Sequence, residues 1–430
     1  MFGPLSNSPI AKTTSPQVVI PFYAYAALSF LAATILLFFS DQSFTGHYFH
    51  PHILAITHLM ALGWATMIIF GASHQLVPVL IESDLYSDKL AHVSFALAGL
   101  GIPLLVYGFF AFNMGWPAQL GGSLVLGAIL AFIANIAISI SRSKRENVHA
   151  VFVFTSTVWL LLTVSLGLAL LFNFTSSVLT RNSLYYISLH AHLGVVGWFL
   201  LLVLGVGSRL IPMFLISKYS NPRLLWVVFL LVNVALITFS LLFLFHPGTN
   251  LHYIPAILVA IALLLFAHYN RQAYKQRIRR KVDDQMKVSL LAVALLLVPS
   301  IVLLVLLCAL LLTTGERADL VLLYGFTIFF GWLTAIILGM TFKTLPFIVW
   351  NKVYRHRAAL GKMPSPKDLF NHRVYKVMAL LYLAGFVLFA CGILLPSPVL
   401  LKVGSLALLA TACLYTWNVM LLVNHKPFRK

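Results

Sequence analysis

The feature that most constrains this chain is the length of its apolar runs. Twelve stretches fall at about 18–39, 51–80, 89–112, 118–141, 148–173, 184–214, 223–245, 252–270, 286–314, 320–350, 373–395 and 398–424. Each is long enough to cross a hydrocarbon core of roughly 30 Å, which takes about 20 helical residues. Inside lipid a backbone must satisfy its own amides, so runs of this length are helices. The expected fold class is an all-α polytopic membrane protein with a single transmembrane domain over 18–424. A polar N-terminal tail (1–17) and a basic C-terminal tail (425–430) flank it. Composition agrees: 61% of residues are hydrophobic and 9% charged, whereas a soluble domain carries about 25% charge. No small-residue cleavage site follows the first run, which therefore reads as a retained helix. Cys308, Cys391 and Cys413 all lie inside apolar runs without metal-ligand spacing and read as small apolar residues.

The net charge of +19 would suggest nucleic acid in a soluble protein. Its placement here says otherwise. Of 29 Lys and Arg residues, 24 fall in alternate loops and the two tails. The densest loops are 271–287, with Arg271, Lys275, Arg277, Arg279, Arg280, Lys281 and Lys287, and 352–376. The opposite loops hold Arg181, Arg317 and, at a helix start, Lys402. This is the positive-inside pattern, and it places both termini in the cytoplasm. The basic loops lie against anionic lipid head groups, so the partner they imply is the bilayer and not nucleic acid.

The chain also repeats itself. The second run reads His58-x4-Gly63-Trp64-x6-Gly71-x6-Pro78, and the sixth reads His192-x4-Gly197-Trp198-x6-Gly205-x6-Pro212. The tenth reads Phe326-x4-Gly331-Trp332-x6-Gly339-x6-Pro346. Identical spacing in three separate runs defines three four-helix repeats, about 18–141, 148–270 and 286–424. Three copies predict a pseudo-threefold ring with the second, sixth and tenth helices at equivalent inner positions. Paired glycines such as Gly63 and Gly71 return to one helix face and allow close helix approach.

Chemistry is expected where the copies differ. His58 and His192 share a repeat position that Phe326 occupies in the third copy. The sixth run adds His190, which aligns with Ile56 and Tyr324. His190 and His192 lie about 200° apart around a helix and face opposite neighbours. Ionisable residues inside a membrane are costly, and their default reading is functional. Imidazoles from two helices can hold a haem iron. The bland alternative is a set of interfacial histidines hydrogen-bonded to loops. Repeat symmetry makes His190 the partner of His58 and turns His192 toward Tyr324 and Phe326, where a second, five-coordinate haem has its place. His47, His50 and His52 sit at the outer mouth of the second run, as copper ligands or as solvated side chains. For His92, His149, His246, His252 and His268 a solvated or capping role is expected. Arg209 and Lys343, near cytoplasmic helix ends, are expected to snorkel toward lipid phosphate.

On these residues the chain resembles subunit I of the haem–copper oxidase and nitric oxide reductase superfamily. Members have twelve helices in three arcs of four, a low-spin haem held by a helix-2 histidine and one member of a His-x-His pair, and a high-spin haem on the other member. His58 and the triplet His190-Ala191-His192 match that scheme in kind. The resemblance implies haem b on His58, His190 and His192, the handling of electrons or of a diatomic gas (nitric oxide or oxygen), and an electron-donor protein or subunit as partner. It also implies a bacterial inner membrane. The departures are plain. The pair is on the sixth run instead of the tenth, and the seventh run has no histidine, so a copper centre of the usual kind is not expected. No Asp or Glu lies deep in any run. Size and helix count also suit a related group of haem- and copper-containing membrane proteins linked to nitric oxide stress. Two other function classes fit the sequence: a non-catalytic assembly or sensing relative, and a transporter or channel built on repeats.

Overall fold

The computed structural model describes residues 14–143, 147–247, 250–278, 280–312, 317–355 and 363–427. Most of the polar tail, the last residues of the basic tail, and the basic residues Lys12, Lys144, Arg145, Arg279, Arg357, Lys362, Arg429 and Lys430 lie outside them. Among the described residues, twelve helices are long and apolar enough to cross a membrane. They are α1 (Pro16–Phe39), α2 (Pro51–Ile81), α3 (Asp88–Phe110), α4 (Trp116–Ser141), α5 (Val148–Ser176) and α6 (Ser183–Leu215). They continue with α7 (Pro222–Phe245), α8 (Tyr253–Lys275), α9 (Asp284–Leu312), α10 (Ala318–Tyr354), α11 (His372–Leu394) and α12 (Pro398–Val423). The chain is an integral membrane protein, and every expected run is a helix.

Local chemistry explains where these helices begin. Side chains of Ser15, Ser87, Asn147, Asn182, Asn221, Asp283, Asn371 and Ser397 accept hydrogen bonds from first-turn amides that have no helical partner. Prolines in the first turns of α1, α2, α4, α7 and α12 lack only an amide the helix would leave unpaired anyway. Inside α9 the helix breaks at Leu296, between Asp284–Leu295 and Leu297–Leu312. Pro299 is the cause: it donates no hydrogen bond, and its ring crowds the carbonyl of Leu295 four residues back.

Helices α2, α6 and α10 form the interior. Of their apolar windows 78%, 61% and 72% is buried, against 50% or less for every other span. Trp64 of α2 donates its indole N–H to Thr334 Oγ1 of α10 (3.3 Å), and Trp198 of α6 donates to Thr66 Oγ1 of α2 (3.1 Å). Each acceptor sits two residues after the tryptophan of its own helix. The corresponding residue in α6 is Leu200, which has no hydroxyl, so the α10–α6 joint lacks this bond.

The glycine of the repeat's second position sets the outer contact. A Cβ on Gly71 would lie 2.7 Å from Phe22 Cβ of α1, on Gly205 2.3 Å from Phe152 Cβ of α5, and on Gly339 2.3 Å from Ser289 Oγ of α9. Sequence periodicity gave no sign of one feature. Each inner helix widens into a π-helical turn, over Leu59–Thr66, Leu193–Leu200 and Thr327–Leu333. These segments begin directly after His58, His192 and Phe326. Such bulges re-aim side chains and cluster at functional sites.

Among the described residues three ion pairs tie helices together, one of them Lys376 of α11 with Asp284 of α9 at 3.6 Å. Lys343 of α10 pairs with Asp283, the cap of α9, so it is held by protein and not by lipid phosphate as its position suggested. At the opposite end, Lys402 of α12 binds Asp41 Oδ1 at 2.9 Å and the Phe38 carbonyl at 2.7 Å. Asp41 is only 1% exposed.

Candidate metal centre

His58 and His190 come together across the α2–α6 gap. Their ring centroids are 6.3 Å apart and their planes are 19° from parallel. Each ring is fixed through Nδ1. His58 Nδ1–H donates to the Leu54 carbonyl one turn back (2.8 Å), and His190 Nδ1–H donates to the Thr163 carbonyl of α5 (3.0 Å). That protonation leaves each Nε2 with a free lone pair, the arrangement found in metal-binding histidines. Neither Nε2 makes a hydrogen bond among the described residues.

Neighbouring residues shape the gap. Phe109 of α3 lies 4.3 Å from the His58 ring. Gly167 of α5 makes room for His190: a Cβ there would fall 2.7 Å from His190 Cε1. Thr163 and Gly167 were not singled out by the sequence. An isolated glycine in the apolar run of α5 was the available signal.

His192 points away from this pair. Its Nδ1–H donates to the Ser188 carbonyl (2.8 Å), and its Nε2 lies 3.5 Å from the Tyr324 hydroxyl, with ring centroids 5.9 Å apart. Both groups line a cavity of about 590 Å³ bounded by α6 to α10 and by Tyr48. His252, which a surface role would have left in water, lines the same cavity, and its Nδ1 is buried with no hydrogen-bond partner. Where the third copy replaces histidine with Phe326, the ring packs against Phe330, Phe386 and Phe389.

The other histidines do not join the pair. His47 Nδ1 accepts from the Phe49 amide and His50 Nδ1 from the His52 amide, while His52 stacks on Phe110. His149 is not solvated but bonds the Gly205 carbonyl and the Ser208 hydroxyl. His74 is fully buried between Phe22 and Phe132, and neither ring nitrogen has a partner. Among the described residues no three His, Cys, Asp or Glu side chains gather as a metal-ion site.

No protein-family model matches the chain. Among solved structures, a chain from the cryo-EM structure of a heme-copper terminal oxidase dimer superposes with a TM-score of 0.71. The match covers 96% of this chain and 85% of the oxidase chain, at 12% sequence identity. The chain is similar in fold to a haem–copper oxidase. At that identity the likeness speaks for the fold alone, and the chemistry has to be read from the side chains present.

Two imidazoles across one gap, each with a free Nε2, are a donor set that would hold one metal between two helices. Ring centroids 6.3 Å apart are compatible with one metal held between the two imidazoles. Two histidines alone, without further protein ligands, suit a metal whose remaining positions come from a macrocycle.

Proposed function

We propose that this protein binds a b-type haem between α2 and α6, with His58 and His190 as axial ligands, and handles electrons or a diatomic gas. The observation that carries the proposal is the His58–His190 pair, with ring centroids 6.3 Å apart across the α2–α6 gap and both Nδ1 atoms committed to backbone carbonyls. Haem bound in this way supplies one-electron redox chemistry. The chain's own part is to fix the two rings. The Leu54 and Thr163 carbonyls set their tautomer, and Phe109 and Gly167 set their position. The fold shared with a haem–copper oxidase supports the reading, as does the repeat position of His58.

Further parts of the proposal rest on the sequence pattern. The three four-helix units form an approximately threefold ring, supported by the Trp64–Thr334 and Trp198–Thr66 bonds. The basic loops face the cytoplasm of a bacterial cell, and an electron-donor protein or subunit docks on the assembly. A copper centre of the usual oxidase kind is not part of the proposal, because α7 has no histidine. That absence favours, as a second reading, a relative that kept the haem and serves in sensing or assembly. A reduced-minus-oxidised absorption spectrum of the purified protein tests the haem claim. Split low-spin α and β bands in near one-to-one ratio with chain are expected; a featureless spectrum from haem-replete cells contradicts it.

A further inference from the structure

Three helix pairs, α3–α4, α7–α8 and α11–α12, occupy matching places in the sequence pattern, and two of them are clasped at the end that carries the basic loops. The Ser87 amide at the cap of α3 donates to Asn135 Oδ1 of α4 (3.0 Å), and Asn135 Nδ2 donates back to the Ser87 carbonyl (2.9 Å). The Asn371 amide at the cap of α11 donates to Asn418 Oδ1 of α12 (3.0 Å), and Asn418 Nδ2 donates back to the Asn371 carbonyl (3.1 Å). The matching residues of the middle pair are Asn221, which caps α7, and Asn270 of α8. Here the clasp is open. Asn270 Nδ2 donates to the Phe266 carbonyl of its own helix (2.9 Å), and Asn270 Oδ1 is buried with no hydrogen-bond partner. Asn270 is only 3% exposed. An acceptor left unpaired at that depth is unfavourable and calls for an explanation.

The seams differ in the same way. Glycines bring the clasped pairs together: a Cβ on Gly121 would lie 2.4 Å from the Leu105 nitrogen, and one on Gly404 2.6 Å from the Phe389 nitrogen. Neither α7 nor α8 contains a glycine. Instead α8 is fastened to α6. The Tyr269 hydroxyl donates to the Ser208 carbonyl (3.2 Å), and the Ile278 amide to the Ile216 carbonyl just past the end of α6 (3.1 Å). Helix α7 is held at its middle, where Trp159 of α5 donates its indole N–H to Asn233 Oδ1 (2.9 Å). Beyond that bond Phe239 packs on His192, with ring centroids 4.9 Å apart, and both rings line the 590 Å³ cavity.

We propose that α7 is a rocker, pivoting on the Asn233–Trp159 bond between this open state and one in which Asn221 and Asn270 form the clasp of the other two pairs. Closure pairs the orphan oxygen with the Asn221 amide and exchanges the Phe266 carbonyl for that of Asn221. Repacking a seam without glycines opposes it, so the two states are balanced as a switch requires. Asn221 lies about 18 Å along the helix from the pivot, and Phe239 about 9 Å on the other side. Closing the clasp therefore moves Phe239 against His192 half as far in the opposite sense. The device couples the basic-loop face to the His192 cavity and does not depend on the haem at His58 and His190.

The test is double electron–electron resonance on the full chain in nanodiscs, with Cys308→Ala, Cys391→Ala and Cys413→Ala as background. Spin labels at Arg223→Cys and Arg271→Cys read the clasp, and labels at Leu184→Cys and Leu244→Cys read the opposite end of α7; all four native side chains are exposed. Two distances are expected at each pair of labels. Asn270→Leu, which cannot form the clasp, leaves one distance at each, the longer one at the clasp. A single distance at either pair, unchanged by Asn270→Leu, overturns the rocker. Melting temperatures of unlabelled protein give a second reading. Asn135→Leu and Asn418→Leu each break a formed clasp and lower the melting temperature by a few degrees, whereas Asn270→Leu removes an orphan and does not lower it. An equal fall in Asn270→Leu shows a clasp that is already closed and overturns the proposal.

Discussion

The indole N–H of Trp198 on α6 donates to Thr66 Oγ1 on α2 at 3.1 Å, across the centre of the bundle. Both residues are buried, and Trp64 repeats the contact one helix further on, to Thr334. A polar contact between membrane helices contributes about 0.6 kcal/mol on average and up to roughly 2. Thr66→Val should therefore lower the detergent-solubilised protein's stability by about 1 kcal/mol, and Trp198→Phe should add little to it in the same chain. Additive losses in the double variant would show that the two side chains do not depend on each other.

Gly205 and Gly325 are both helical glycines with opposite surroundings. A Cβ on Gly205 would lie 2.3 Å from Phe152 Cβ, while a Cβ on Gly325 meets nothing within 4 Å. Gly205→Ala forces α5 and α6 apart and is expected to cost about 1–3 kcal/mol. Gly325→Ala is expected to be neutral or mildly stabilising. Thermal melts of the two variants, purified identically, check the difference.

Asp41 and Lys402 make an unequal pair. The carboxylate is buried and its Oδ2 has no partner, while Lys402 is half exposed. Removing the cation leaves a buried charge uncompensated, at a cost of about 3–5 kcal/mol. Lys402→Met should therefore destabilise strongly, and Asp41→Asn in that background should restore most of the loss. Failure of the second change to rescue would mean that Lys402 acts through its contact with the Phe38 carbonyl.

The helices and their count were legible because lipid leaves so few alternatives: an apolar run of 20-odd residues has one way to satisfy its amides. The inner position of α2, α6 and α10 was legible from the Gly-Trp spacing. The facing of His58 and His190 followed from the repeat together with the turn angle between His190 and His192. What was hidden depends on contacts between runs. Thr163 and Gly167 are ordinary residues on α5 until α6 packs against them. His252 looked like a loop residue because its number says nothing of the cavity wall it joins. The π-turns leave no mark on hydrophobic periodicity, since they shift the register of runs that are apolar all round. Lys343 was misread because its partner Asp283 is 60 residues away in sequence.

The proposed orientation rests on charge alone and is directly testable. Reporter fusions after Lys281 and at the C-terminus should both report the cytoplasm, and a fusion after Arg181 should report the opposite side. A fusion after Lys281 that reports the outside would reverse the assignment of every loop.

Haem ligation by His58 and His190, and not by His192, is the proposal on which the functional reading rests. The most direct measurement is the reduced-minus-oxidised spectrum of His58→Ala, His190→Ala and His192→Ala, each purified beside the wild type. The first two variants are expected to lose the low-spin bands while His192→Ala keeps them at full amplitude. Loss of the bands in His192→Ala alone would reverse the pairing, and unchanged haem content in all three would contradict the haem assignment itself.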